Sequence, residues 1–208
     1  MAITLYDHEL DEDCYRLRLL AGFLGLDYTR VAVGVQPGHP VLLPAGVAAD
    51  LPGRLPVLDA NGLTLVGAAA GLAFLAQSHD PAQRWLPVAP DLFGPVMQWL
   101  AFSAGPLAAA VAARRSALFG LGDPQALVPA AVAALTAMED HMVLRGHADQ
   151  EWFVGDRPTL ADVALFPSFA LSRDFGVEHD AFPALRKWLR RFRQIEGFRV
   201  MPGIPDYA

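Results

Sequence analysis

Apolar and polar positions follow more than one period along this chain, and the changes of period divide it into elements. Ile3 to Tyr6 is a short β-rich start, followed by a polar, acidic stretch from Asp7 to Asp13. From Cys14 the pattern changes: Leu17, Leu20, Ala21 and Leu24 recur at the spacing of an amphipathic helix. Gly25 stands where a helix end favours a left-handed residue. Tyr28 to Val33 reads as a second strand, so the chain opens βαβ, which implies a parallel strand pair. Gly34 to Gly53 is rich in Gly and Pro and reads as loop with one irregular helical turn. Leu55 to Leu58 and Leu63 to Val66 flank an Asn61-Gly62 turn and read as an antiparallel hairpin. A helix over Gly67 to Gln77 completes ββα and a four-stranded mixed sheet.

Beyond Ser78 the pattern is helical. The prolines between Ser78 and Asp91 mark a boundary, giving a first domain over 1–78, a linker over 79–90 and an all-helical domain over 91–208. Leu92 to about Leu118 reads as one long helix. Pro124 to about Leu144 follows, with Ala131, Leu135, Met138 and Met142 along one face. Leu160 to Ser172 and Phe182 to Gln194 complete the bundle.

Composition narrows the class. Of 208 residues, 53% are hydrophobic and 18% charged, which favours a packed core over long disordered tails. The net charge of −6 argues against nucleic acid and anionic membranes as principal partners. Cys14 is the only cysteine, so neither an intrachain disulfide nor a Cys-based zinc cluster can form, and no metal is expected. The N-terminus carries acids where a secretory signal needs bases, and the apolar run Val66 to Ala76 falls short of the roughly 20 residues that span a bilayer. A cytoplasmic protein is the expectation.

Four local matches then carry a resemblance to the glutathione transferase superfamily over nearly the whole chain. Asp13-Cys14-Tyr15-Arg16-Leu17-Arg18-Leu19-Leu20 resembles the N-C-Y-K-V-R-L-L that opens helix 1 in bacterial members. Arg54 to Leu58 resembles the family's G-x-[VL]-P-x-L, whose proline is cis. Leu63 to Leu75 stands in the register of L-x-L-x-E-S-x-A-I-x-x-Y-L, and Gly155 to Asp162 is close to G-x-x-x-[ST]-x-A-D. The resemblance implies a thioredoxin-like α/β domain followed by a helical bundle. It also implies glutathione as co-substrate, thiolate attack on an apolar electrophile in detoxification, and a twofold homodimer. Read physically, Thr159 and Asp162 form a capping box at the start of a helix, a folding signal with no catalytic part.

The same comparison locates the chemistry and two departures from it. A thiol near pKa 8.5 to 9 needs a hydrogen-bond donor that favours the thiolate, and in the family a Ser, Tyr or Cys supplies it. Aligned on Arg16-Leu17-Arg18, that position falls on Asp11, beside Glu12 and Asp13. An ionised carboxylate accepts hydrogen bonds and donates none. Tyr6 is either a substitute donor or a half-buried strand aromatic. Cys14 falls on the apolar side of helix 1 and reads as a structural thiol. The family's Glu-Ser pair that grips the γ-glutamyl group is here Gly67-Ala68, leaving the helix N-terminus to favour a carboxylate. The resemblance implies that Leu55 and Pro56 hold the cysteinyl part. Arg16 lies near that cleft or on a solvated helix face. Trp99, Phe102 and Ser103 form either an acceptor-pocket wall or bundle core. Two rivals stay open: a non-catalytic binding module, and an enzyme holding a cationic substrate on Asp11, Glu12 and Asp13.

Overall fold

The computed structural model describes residues 2–35, 41–44, 47 and 54–204. The irregular turn expected within Gly34 to Gly53 falls largely outside the described residues. The chain divides into two compact units, Met1–Pro81 with Gly197–Pro202, and Ala82–Glu196 with Gly203–Ala208.

In the first unit β1 (Ile3–Asp7), α1 (Glu12–Phe23) and β2 (Thr29–Ala32) form the expected βαβ, with β1 and β2 parallel. Two further strands, β3 (Val57–Ala60) and β4 (Leu63–Val66), form the hairpin, and α2 (Ala68–His79) closes the unit. The sheet order is β2-β1-β3-β4, with β3 antiparallel to both neighbours. Asn61 and Gly62 both take positive φ, 53° and 90°, as the two-residue turn requires. Ile3, Leu5 and Leu58 face Leu17 and Ala21 of α1 and Leu75 of α2. Alternation along β1 therefore turns Thr4 and Tyr6 to the other face. Helix α1 ends in a Schellman arrangement, with Leu26 N–H bonded to Ala21 C=O and Gly25 N–H to Gly22 C=O.

The second unit is helical: α3 (Pro90–Ala104), α4 (Ala108–Phe119), α5 (Val128–His147), α6 (Leu160–Ala170) and α7 (Pro183–Phe192), with 3-10 turns at Pro124–Ala126, Ser172–Phe175 and His179–Ala181. All of α6 is buried, and α3 and α7 pack on it. The single helix expected over Leu92 to Leu118 is broken at Gly105-Pro106-Leu107. Pro106 has no N–H to give Phe102 C=O, which accepts instead from Gly105 and Leu107 at 3.3 and 3.1 Å. The stretch Pro90–Phe119 is long and apolar enough to cross a membrane by length and composition alone, but here α3 packs on α6 and α4 on α5. Ala131, Leu135, Met138 and Met142 are buried along α5 as their spacing requires. From the same helix both carboxylate oxygens of Glu139 accept N–H groups of Ala184 and Leu185 at 2.8 Å, capping α7.

Candidate functional site

The candidate site starts at the end of β1. Asp7, fully buried, pairs with Arg18 of α1 and Arg30 of β2. Arg18 also donates to His8 C=O at 3.3 Å and Glu9 C=O at 2.8 Å, so the β1–α1 loop is held from α1. Asp11 is the α1 N-cap, its Oδ1 accepting Cys14 N–H at 2.9 Å. Glu12 is buried at 2% exposure rather than solvated, and Asp13 pairs with Arg16. Arg16 itself is buried at 3%, which corrects the solvated-face expectation. These carboxylates do not converge on a cation site: Asp11 faces a backbone donor, Asp13 an arginine, and Glu12 the interior. Tyr6 is half-buried on the sheet face away from α1, so alternation separates it from the helix end where a substitute donor would act.

Cys14 has no exposed surface, and its Sγ accepts His8 N–H at 3.5 Å. Burial, with Asp11 and Asp7 nearby, pushes its thiol far above the ordinary range, the opposite of a reactive cysteine. Cys14→Ala is expected to cost about 1 kcal/mol from a small cavity. Any activity should survive it, and the native wild-type thiol should resist a soluble disulfide reagent. Fast labelling of the native protein would contradict this placement.

The second part of the site is backbone. The Leu55–Pro56 peptide is cis, and Pro56 C=O accepts Gly67 N–H at 2.9 Å, fixing the start of α2 beside it. Gly67 is the α2 N-cap at φ 93° and ψ 153°, and among the described residues no side chain caps that end. Ala68 is half-buried, while Ala69 and Ala70 are exposed. The first N–H groups of a 12-residue helix thus lie at the surface, with open space where a Gly67 Cβ would stand.

In the second unit Trp99 is 7% exposed, its ring packed edge-on against Phe102, His141 and Phe153 at centroid distances of 5.1, 4.7 and 4.8 Å. Ser103 is buried, its hydroxyl donating to Leu100 C=O at 2.7 Å. Both are bundle core, and of the three pocket residues expected only Phe102 is half-exposed. The Thr159–Asp162 capping box forms at α6 as read, and Asp162 also accepts N–H bonds from Phe153 and from the Trp188 indole. Among the described residues no group of three or more His, Cys, Asp or Glu is placed to hold a metal ion.

Residues 123–196 match the family described as Glutathione S-transferase, C-terminal domain. A maleylacetoacetate isomerase of Pseudomonas aeruginosa is 29% identical over 205 residues, 89% of this chain and 88% of that protein. A maleylacetoacetate isomerase of Rhizobium meliloti is also 29% identical, over 94% of this chain and 93% of that protein. The crystal structure of a glutathione S-transferase from Pseudomonas fluorescens superposes with a TM-score of 0.82 at 25% identity, over 97% of this chain and 100% of that one. The chain has the glutathione transferase fold.

Within that fold the chain has a cis Leu55–Pro56 peptide beside the α2 N-terminus, and Gly67-Ala68 at the positions where the family resemblance expects Glu-Ser. The open, uncapped α2 N-terminus fits a carboxylate. The Glu and Ser that would supplement it are absent, and Gly67 holds a φ that residues with a Cβ rarely adopt. Asp7 escaped the sequence reading. The signal was its parity with Ile3 and Leu5, which puts a carboxylate on the buried face of β1, where it needs cations from other elements.

Proposed function

We propose that this protein is a glutathione-dependent enzyme, acting by thiolate addition to an apolar electrophile or by the thiol-assisted isomerisation for which its relatives are named. The observation that supports it is the pairing of a cis Leu55–Pro56 peptide with an uncapped α2 N-terminus, joined through the Pro56–Gly67 bond. In this reading residues 1–78 hold glutathione and 91–208 carry the acceptor. Leu55 and Pro56 take the cysteinyl part, and the first N–H groups of α2, at Gly67 and Ala68, take the γ-glutamyl carboxylate. Glutathione supplies the nucleophilic sulfur when bound. Phe102 is the acceptor-wall residue that burial leaves available.

Missing the two charge-assisted contacts should weaken glutathione by about a hundredfold, from roughly 3 kcal/mol. Calorimetric titration is therefore expected to give a dissociation constant near millimolar. Ala68→Ser, which adds a hydroxyl at the helix N-terminus, should tighten it about threefold to tenfold. Gly67→Glu should bring no comparable gain, because φ 93° strains any side chain there. No heat with glutathione up to tens of millimolar, in wild type or Ala68→Ser, would remove the reading. A non-catalytic binding module is the second reading, favoured by Asp11 standing where the family keeps a donor. Turnover of maleylacetoacetate or a chloronitrobenzene with glutathione decides between them.

A homodimer in a reducing, cytoplasmic setting completes the proposal. Phe93 and Met97, one turn apart on α3, are 40% and 41% exposed, an apolar pair that a partner subunit would cover. Light scattering at micromolar concentration should give twice 22.4 kDa, and a monomer mass would exclude the dimer.

A further inference from the structure

We propose that a cavity in the helical unit, between residues 83–87 and the 154–159 turn, binds a small oxyanion of the phosphate class. Its lining residues all belong to the second unit, whereas the α2 N-terminus assigned to glutathione belongs to the first. The inference therefore does not depend on the glutathione reading.

Size and rigidity come first. The cavity holds about 140 Å³, the space of about four to five liquid waters, which suits the five heavy atoms of a phosphate. Val154 and Thr159 line it and are buried, while Gln83, Arg84, Asp156 and Arg157 line it and are exposed, so it is open to solvent. Its walls are tied together by bonds that need no ligand. Leu160 N–H donates to Trp85 C=O at 2.8 Å, which joins the 83–87 segment to the start of α6. From α5, Arg145 donates to Trp152 C=O at 2.8 Å and to Gly155 C=O. Asp162 holds the N–H groups of Phe153 and Thr159 at 3.2 and 2.9 Å. A ligand entering here meets a formed site and spends little on ordering it.

Charge comes second. Two guanidinium groups and one carboxylate belong to the described lining residues. Among the described residues Arg84 makes no hydrogen bond or ion pair. Arg157 meets Asp156 through one contact, Nε to Oδ1 at 3.2 Å, with the two side chains 58% and 84% exposed. An exposed pair of that kind is weak, so it leaves Arg157 open to a stronger acceptor. The planar fork of arginine matches the oxygens of a phosphate, and such bonds are charge-assisted on both sides. The Gln83 amide adds a neutral donor. Gln83 also takes φ 52°, a left-handed conformation uncommon for a residue with a Cβ, and such strained positions cluster where ligands are held.

The test titrates the full chain with inorganic phosphate at constant ionic strength set by sodium chloride. Amide chemical shifts read both affinity and place. Wild type should bind saturably with a dissociation constant near millimolar, the shifts centring on residues 83–85 and 154–157. Arg84→Gln should weaken binding about tenfold, and Arg157→Gln should weaken it less, because Asp156 already draws on that side chain. Arg84→Lys keeps the charge without the fork and should recover part of the loss. Asp156→Asn removes the competing carboxylate and should tighten binding about threefold. Arg115→Gln, an exposed arginine of α4, is the control and should bind as wild type does. All five changes are at exposed positions and should leave the melting temperature nearly unchanged. A phosphate monoester that binds at least as tightly as inorganic phosphate assigns the site to a phosphorylated small molecule, and a weaker one assigns it to the free ion. No saturable shift at these residues up to about 50 mM phosphate overturns the proposal. Binding that Arg84→Gln leaves unchanged, or that Arg115→Gln weakens equally, overturns it as well.

Discussion

Asp162→Ala is expected to destabilise the protein by about 3–5 kcal/mol, more than any other single side-chain deletion considered above. Asp162 has no exposed surface and accepts four hydrogen bonds. Thr159 N–H at 2.9 Å and Thr159 Oγ1 at 3.3 Å come from the α6 N-cap. Phe153 N–H at 3.2 Å comes from the preceding turn, and Trp188 Nε1–H at 2.9 Å from α7. Alanine leaves three buried N–H donors without an acceptor, and removes the Asp162 half of the capping box of a helix that is buried along its whole length. Asp162→Asn keeps one acceptor oxygen but turns an amide donor toward other donors, so it should recover only part of the loss. The pH dependence has a definite sign. Burial pushes the Asp162 carboxyl up to about 6, against the pull of its hydrogen bonds. A folded-state pKa above the unfolded value means that the folded chain binds the extra proton between about 4 and 6. This contribution to stability is therefore largest below that window and is lost as pH rises through 6. Urea unfolding should show the wild-type advantage over Asp162→Asn shrinking by about 1 kcal/mol from pH 5 to pH 7. An advantage that grows over that range would reverse the assignment.

The capping box was legible because Thr-x-x-Asp before an apolar run specifies its own local geometry. The same holds for Asn61-Gly62 and for the apolar stripe of α1, which put Cys14 inside. What sequence spacing does not carry is the fate of charges on a half-buried helix. Arg16 and Glu12 sit at positions that a helical wheel gives to solvent, yet both are buried, and Arg16 meets Asp13 one turn away. The α3–α4 break was written in Gly105-Pro106 and outweighed by an apolar pattern that runs through it. Trp99, Phe102 and Ser103 share a stretch of helix, but only packing against Phe153 and His141 decides which of them is filled in. The proposed site is harder to read than the fold for a physical reason: the parts assigned to it are backbone groups, a peptide configuration and a helix end, whose positions follow from tertiary structure.

The second large effect is expected at a crossing of two backbones that periodicity could not anticipate. Gly197–Pro202 belongs to the first unit, and there it lies against the last turns of α1. Tyr15, fully buried, donates its hydroxyl to Arg199 C=O at 2.5 Å. Met201 is 1% exposed. The contact closes on two glycines. A Cβ on Gly22 would stand 2.4 Å from Gly197 O and 2.9 Å from Arg199 Cγ, distances no methyl group tolerates. A Cβ on Gly197 would stand 2.3 Å from Gly22 O, and the φ of 85° there adds backbone strain. The obstructing atoms at Gly197 are backbone, so a rotamer change cannot relieve them. Gly22→Ala should therefore cost about 2–3 kcal/mol by overpacking, a fall in melting temperature of about 5–10 °C for a chain of this size. Gly197→Ala should cost at least as much. Gly146→Ala is the control: it lies within α5, nothing would meet its Cβ, and alanine there should be neutral or stabilising by up to about 1 kcal/mol. If the strap yields before the core, limited proteolysis will cut 197–202 in Gly22→Ala under conditions that leave wild type whole, and the melting temperature will fall less. Gly22→Ala that both melts and resists cleavage like wild type would show that this crossing is not closed in solution.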